Sequence, residues 1–160
     1  MNEWKDGKRW SDRFLVQIKR ILGEHLLREP PVEEDAERNT DLIVLRMDAI
    51  RIACRIRRHA YLAEYPNDIT IRSGRPSGAK TELTKIVEGW GDFLFYGFSD
   101  VAEANIERWR LCDLKAFRLH FNRCLSAGIS PWRNKLNADR SSGFMAIEAD
   151  SVPGFVFAQG

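Results

Sequence analysis

The sequence predicts an α/β protein whose elements run α-β-β-β-α-β, followed by a C-terminal extension. Three observations carry this expectation. Apolar residues recur at helical spacing over residues 11–28, the period drops to two over residues 50–57, and a second helical stretch at 81–90 leads into the apolar run 93–98. No internal repeat or linker interrupts the 160 residues. One domain is therefore expected, with residues 11–98 as its core and 99–160 as an extension of the same domain.

The first helix is drawn by Phe14, Leu15, Ile18, Ile21, Leu22 and Leu26, with Ser11 placed to cap it and Pro30-Pro31 to stop it. The acidic residues 33–39 can add another helical turn or two. Leu42-Ile43-Val44-Leu45 is a compact apolar run. Beyond it Ile50, Ile52, Cys54 and Ile56 alternate with Arg51, Ala53, Arg55 and Arg57, the pattern of a strand with two chemically distinct faces. Met47-Asp48-Ala49 between these runs is expected to turn a hairpin. Asn67-Asp68 opens a third strand at 69–73, and residues 74–78 make a loop. The helix at 81–90 presents Leu83, Ile86, Val87 and Trp90, and 93–98 follows as a buried strand. In the extension, 108–113 reads as a strand and 114–125 as a helix with Phe117 and Phe121 on its apolar face. Strands at 144–149 and 155–158 flank a Pro153-Gly154 turn.

Composition narrows the classes of function. At 44% hydrophobic residues the chain can build a core, and no apolar run reaches the roughly 18 residues of a membrane span. Residues 1–10 are polar and charged, so no secretory leader is expected. Three separated cysteines, Cys54, Cys112 and Cys124, offer no disulfide framework, and a reducing, cytoplasmic setting is expected. The net charge of +2 is unevenly placed: residues 42–90 hold nine basic and five acidic side chains, a local excess of four. Arg46, Arg51, Arg55, Arg57 and Arg58 fall close together there. Arginine outnumbers lysine 18 to 7, and its planar fork matches phosphate oxygens. The plainer reading of the same cations is a solvated sheet face.

The segment from Thr40-Asp41 through Arg51-Ile52-Ala53-Cys54-Arg55-Ile56-Arg57 resembles the active-site hairpin of the PD-(D/E)XK nuclease superfamily. In that family an Asp opens a hydrophobic strand, and the next strand presents an acid and a Lys two positions apart, hence on one face. The resemblance implies a restriction-endonuclease-like core over about residues 11–98, with Asp41 as a ligand for Mg²⁺. It departs from the family where the second acid and the Lys belong, because Ala53 and Arg55 stand there, and Arg is a poor proton shuttle. Some members take the second acid from the following helix, which here offers Glu82, with Lys85 one turn on. Asp48 is a further candidate, although its place also suits a turn.

Gly74-Arg75-Pro76-Ser77-Gly78-Ala79-Lys80-Thr81 comes within one residue of the phosphate-binding pattern G-x-x-x-x-G-K-[ST], with Ala79 where Gly is required. Nucleotide binding of that kind is not expected, while Arg75 and Lys80 remain placed to meet a nucleic-acid phosphate. His25, His59 and His120 are scattered, and Cys112, His120 and Cys124 lack zinc-ligand spacing, so core cysteines and surface histidines are expected. Residues 89–98 are the most aromatic stretch, able to stack on bases or to fill a buried strand; Asp92 stands at that strand's mouth.

Two functions of different class follow. The first is a Mg²⁺-dependent nuclease-like domain acting on DNA phosphodiesters, of a size that suits a phage or mobile-element protein. Asp41 and Glu82 hold the metal, Arg55 or Lys85 stabilises phosphate charge, and Arg51, Arg57, Arg58, Arg75 and Lys80 contact the backbone. The second is a non-catalytic module of the same fold that binds DNA or RNA, or a partner protein, through the Arg-bearing face. A variant of the second is assembly, in which an apolar tail strand pairs with another copy of the chain.

Overall fold

The computed structural model describes residues 3–28, 43–44, 50–137 and 139–160. Contacts divide the chain into two units, Met1–Ala49 and Ile50–Gly160.

In the first unit, α1 (Glu3–Asp12) and α2 (Leu15–Leu26) are separated by a two-residue turn, and β1 (Leu27–Arg28) pairs antiparallel with β2 (Ile43–Val44). Helix α1 is a polar helix that no apolar stripe announces, and Lys8 and Asp12 pair across one turn at 2.5 Å. Ser11 therefore does not cap the second helix: it lies inside α1, and its hydroxyl donates to the Lys8 carbonyl at 3.1 Å. Asp41, Arg46, Asp48 and residues 33–39 lie outside the described residues.

The second unit is mixed α/β. After β3 (Ile52–Arg57) come α3 (Ala60–Glu64), β4 (Asp68–Gly74), α4 (Glu82–Val87), β5 (Phe93–Ser99), β6 (Ile106–Asp113), α5 (Leu114–Ser126), β7 (Arg133–Leu136), β8 (Gly143–Glu148), a 3-10 turn (Ala149–Ser151) and β9 (Val156–Gln159). The strands form a four-stranded mixed sheet in the order β3-β5-β6-β9 and a three-stranded antiparallel sheet in the order β4-β8-β7. Strand β3 runs parallel to β5, a connection that needs a crossover, and α3, β4 and α4 supply it. The expected hairpin is not the pairing found among the described residues. Ile43–Val44 pairs with β1, and β3 pairs with β5. The third strand, β4, belongs to the other sheet. The tail strand β9 pairs with β6 of its own chain, and β8 lies between β4 and β7, so residues 99–160 contribute strands to both sheets. No helix among the described residues is long and apolar enough to cross a membrane.

Side-chain caps at the boundaries expected from the sequence hold α4 and α5. The Thr81 hydroxyl accepts the Thr84 N–H at 3.2 Å, and Asp113 Oδ1 accepts the N–H groups of Lys115 and Ala116 at 2.7 and 3.1 Å. Ile69 and Ile71 of β4 face Ile147 and Met145 of β8 across the ladder. They share one core with Leu94, Tyr96 and Phe98 of β5 and with Phe117 and Phe121 of α5.

Register decides what β3 presents. Ala53, Arg55 and Arg57 pair with Leu94, Tyr96 and Phe98 and lie on the same face as those core residues. Ile52, Cys54 and Ile56 lie on the other, beside Phe93, Phe95 and Gly97. The arginines are thus not on a freely solvated face, and Arg55 keeps only a quarter of its side chain exposed. Cys54, expected in the core, is exposed, whereas Cys112 and Cys124 are buried.

Candidate functional site

The face of β3 and β5 that carries Ala53 and Leu94 floors a cleft of about 460 Å³, walled by the loop after β4, by α4 and by Trp90. Six cationic side chains line it: Arg51, Arg55, Arg72, Arg75, Lys80 and Lys85. Among the described residues one carboxylate lines it, that of Glu82.

Glu82 is already engaged. Its Oε2 forms an ion pair with Arg55 Nη2 and accepts the Arg72 N–H at 3.0 Å. Arg55 also donates from Nη1 to the Thr70 carbonyl at 2.6 Å, which fixes the guanidinium plane. Lys80 pairs with Glu88, at 2.7 and 2.8 Å from its two oxygens. The side chains of Arg51, Arg72, Arg75 and Lys85 form no ion pair among the described residues. Burial, and then the nearby guanidinium groups of Arg55 and Arg75, push the Arg72 guanidinium below its ordinary value, with Glu82 opposing them. The arrangement is a set of cations crowded close enough to repel one another, short of the negative charge that would relieve them.

Of the residues expected to meet nucleic acid, Arg51, Arg75 and Lys80 are in this cleft with Arg55, Glu82 and Lys85. Arg57 is in an adjoining pocket, its guanidinium 4.2 Å above the Tyr61 ring. Arg58 is in neither cavity; it pairs with Glu103. Asp92, at the mouth of β5, serves the backbone: its Oδ2 accepts the Arg51 N–H at 2.8 Å. The loop that resembles a phosphate-binding loop ends at Thr81, whose hydroxyl is committed to the cap of the six-residue α4.

One charged cleft residue, Arg72, is not singled out by any motif in the sequence. Arg72 alternates with Ile69 and Ile71 on β4, and alternation was its available signal. Trp90 suits both the apolar face of its helix and, within residues 89–98, a ring able to stack on bases, and 62% of it is exposed. The reason is local. Gly89 (φ +95°) donates to the Ile86 carbonyl and Trp90 to the Lys85 carbonyl, each at 3.0 Å, a glycine-dependent stop that ends α4 before the indole.

Among the described residues no group of three His, Cys, Asp or Glu side chains is placed to hold a metal ion. Mg²⁺ takes oxygen ligands, commonly one or two carboxylates, and Glu82, held by a guanidinium, does not supply such a set alone. His120 and Cys124 meet at 3.4 Å within α5, one turn apart.

Comparison with known proteins finds no matching family model, and no curated protein or solved structure that matches the chain.

Proposed function

We propose that the chain is a nucleic-acid-binding module, with DNA as its first expected partner, and that the cleft between β3, β4 and α4 receives the phosphodiester backbone. The observation that carries this reading is the charge imbalance of the lining. Four cationic side chains form no ion pair among the described residues, and the one described lining carboxylate is locked to Arg55. Bound phosphates would supply the missing negative charge, and the release of their counterions would drive association. The exposed indole of Trp90 at the same cleft offers a stacking face that a free inorganic anion would not use. RNA presents the same phosphate chemistry and is compared directly in the test.

Fluorescence anisotropy with labelled DNA and RNA of matched sequence, titrated over a range of salt, tests the proposal. Engagement of all four cations gives a slope of log affinity against log salt of about −3 to −4. Binding that ignores salt, or that survives the triple substitution Arg51→Ala, Arg75→Ala and Lys85→Ala undiminished, removes the proposal.

One observation favours a second reading, the hydrolytic one. Only Oε2 of Glu82 is used by Arg55 and Arg72, which leaves Oε1 without a hydrogen-bond partner among the described residues. In that reading, which the sequence resemblance to the PD-(D/E)XK superfamily and its restriction-endonuclease-like core implies, Glu82 and Asp41 are the carboxylates assigned to Mg²⁺. In that case plasmid cleavage with Mg²⁺ is abolished by Asp41→Ala and by Glu82→Ala in chains that still fold. Absence of cleavage by the unaltered chain with any divalent metal leaves binding as its function.

A further inference from the structure

Beside the cleft is a second cavity of about 210 Å³ that the nucleic-acid reading leaves without a role. Its walls are largely aromatic: Tyr61 and Tyr65 from the α3 region, Tyr96 and Phe98 from β5, and Phe144 from β8. Polar groups sit at defined points on this apolar surface. The hydroxyls of Thr70 and Tyr96 are 2.9 Å apart. Arg57 lies over the Tyr61 ring, and Lys135 Nζ lies 4.5 Å from the centre of the Tyr65 ring.

The two cavities are aligned by the register of β3 and β5. Arg55 lines the cleft with Ala53 and Leu94, Arg57 lines the aromatic cavity with Tyr96 and Phe98, and the paired residues Arg55 and Tyr96 are their common edge. Thr70 marks the same boundary, because its carbonyl accepts from Arg55 and its hydroxyl meets Tyr96. A two-residue step along a strand is about 6.6 Å. The aromatic cavity therefore opens within a nucleotide's reach of the cationic one.

We propose that this cavity is a nucleobase pocket, and that the ligand is a single-stranded nucleic acid whose phosphates cross the cleft while one unpaired base enters among the tyrosines. The proposal rests on the nucleic-acid reading of the cleft and narrows it to one strand. The volume equals that of about seven waters, room for one flat ring system and too little for a base pair. Rings supply the stacking faces, and the Thr70 and Tyr96 hydroxyls supply hydrogen-bonding groups for a base edge. A quaternary ammonium, another guest suited to a tyrosine-lined pocket, is disfavoured because Arg57 and Lys135 already take cation positions over Tyr61 and Tyr65. Two carboxylates, Glu64 and Asp68, also line the cavity, Asp68 paired with Arg133, so the lining is balanced in charge and suits a neutral ring whose phosphates stay in the cleft. A base inside a duplex is already paired and stacked and cannot enter.

The test compares three labelled ligands with the full chain at one salt concentration: a short single-stranded DNA, the same backbone made entirely of abasic sites, and the duplex. The single strand is expected to bind roughly tenfold tighter than the abasic backbone, as stacking of one base implies. Tyr61→Ala should bring the ratio of strand to abasic affinity down to about one. Tyr61 is 43% exposed on a short helix, and Tyr61→Leu, which keeps apolar bulk without a stacking face, provides the check on folding. Equal affinity for strand and abasic backbone overturns the pocket and leaves the cleft standing. So does a base preference that survives both Tyr61→Ala and Tyr65→Ala, or tighter binding of the duplex. Failure of all three ligands to bind overturns the nucleic-acid reading itself.

Discussion

Arg55 in β3 donates to the main-chain carbonyl of Thr70 in β4 at 2.6 Å, so a single guanidinium joins two sheets that share no ladder. Its other nitrogen holds Glu82 at the start of α4, and Glu82 in turn accepts the Arg72 amide. Strand, strand and helix around the cleft are thereby tied to one side chain.

Arg55→Ala should cost more than an exposed ion pair does. It strands a partly buried carboxylate and a main-chain carbonyl, which amounts to about 1–3 kcal/mol. Urea unfolding should show the midpoint falling with the slope unchanged. Arg55→Lys should recover only part, because an ammonium cannot serve Thr70 and Glu82 as a planar fork does. An unaltered midpoint in Arg55→Ala would show that the junction carries no stability.

Cleft cations and paired cations should separate in their response to salt. Arg75→Ala and Lys85→Ala should each reduce the salt slope of DNA binding by about one. Arg58, paired with Glu103 and outside the cleft, should leave that slope unchanged when replaced by Ala. Equal effects from all three would point to general surface charge instead of a site.

Gly89 adopts φ +95°, and the space where a Cβ would stand is open. Gly89→Ala is therefore penalised by backbone strain alone, about 1–2 kcal/mol. Thermal unfolding should register a fall in Tm of a few degrees. Gly91→Ala should cost more, since φ is +82° and the new methyl would also meet Leu114 Cδ1 at 3.0 Å. Reversal of that order would be inconsistent with the contact.

Burial pushes the Cys112 thiol up from 9.0 to about 12, with Arg110 pulling weakly the other way. In the unfolded chain the thiol ionises near 9, so above that pH the unfolded state sheds a proton that the folded state keeps. Stability from this group is intact below about pH 9 and declines as pH rises toward 12, at up to about 1.4 kcal/mol per pH unit. Cys112→Ala should flatten that part of the stability profile, measured by urea unfolding at alkaline pH. A parallel decline in variant and parent would assign the loss to other groups.

What could be read from the sequence was local. Helix α5 and strands β4 and β5 were legible because caps, turn residues and apolar periods lie within a few positions of one another. Asp113 and Thr81 cap where they were expected to mark boundaries. Helix α1 was hidden by its polarity, and α3 and β7 by their shortness, five and four residues. Which face of β3 is covered was not a local property. Alternation separates Arg55 from Cys54, but parallel pairing with β5 decides that the arginine face shares Leu94, Tyr96 and Phe98 with the core. Cys54 is exposed although Ile56 and Phe95 on the same face are buried, which alternation alone does not distinguish. The candidate site was legible through its charges and not through its shape. Arg51, Arg55, Arg75, Lys80, Glu82 and Lys85 were flagged from separate motifs that the fold brings into one cleft, whereas the aromatic pocket draws on α3, β4, β5, β7 and β8 and left no local signature.

The pairing of β4 with β8 also sets an order of events. Asp68 lies opposite Glu148, and β7 joins the sheet only through β8. Strand β4, a wall of the cleft and the partner of Arg55, thus lacks its ladder until synthesis has passed Glu148. During synthesis the cationic surface would be present as sequence long before it exists as a groove, so a chain cut short before β8 should keep the charges and lose the site.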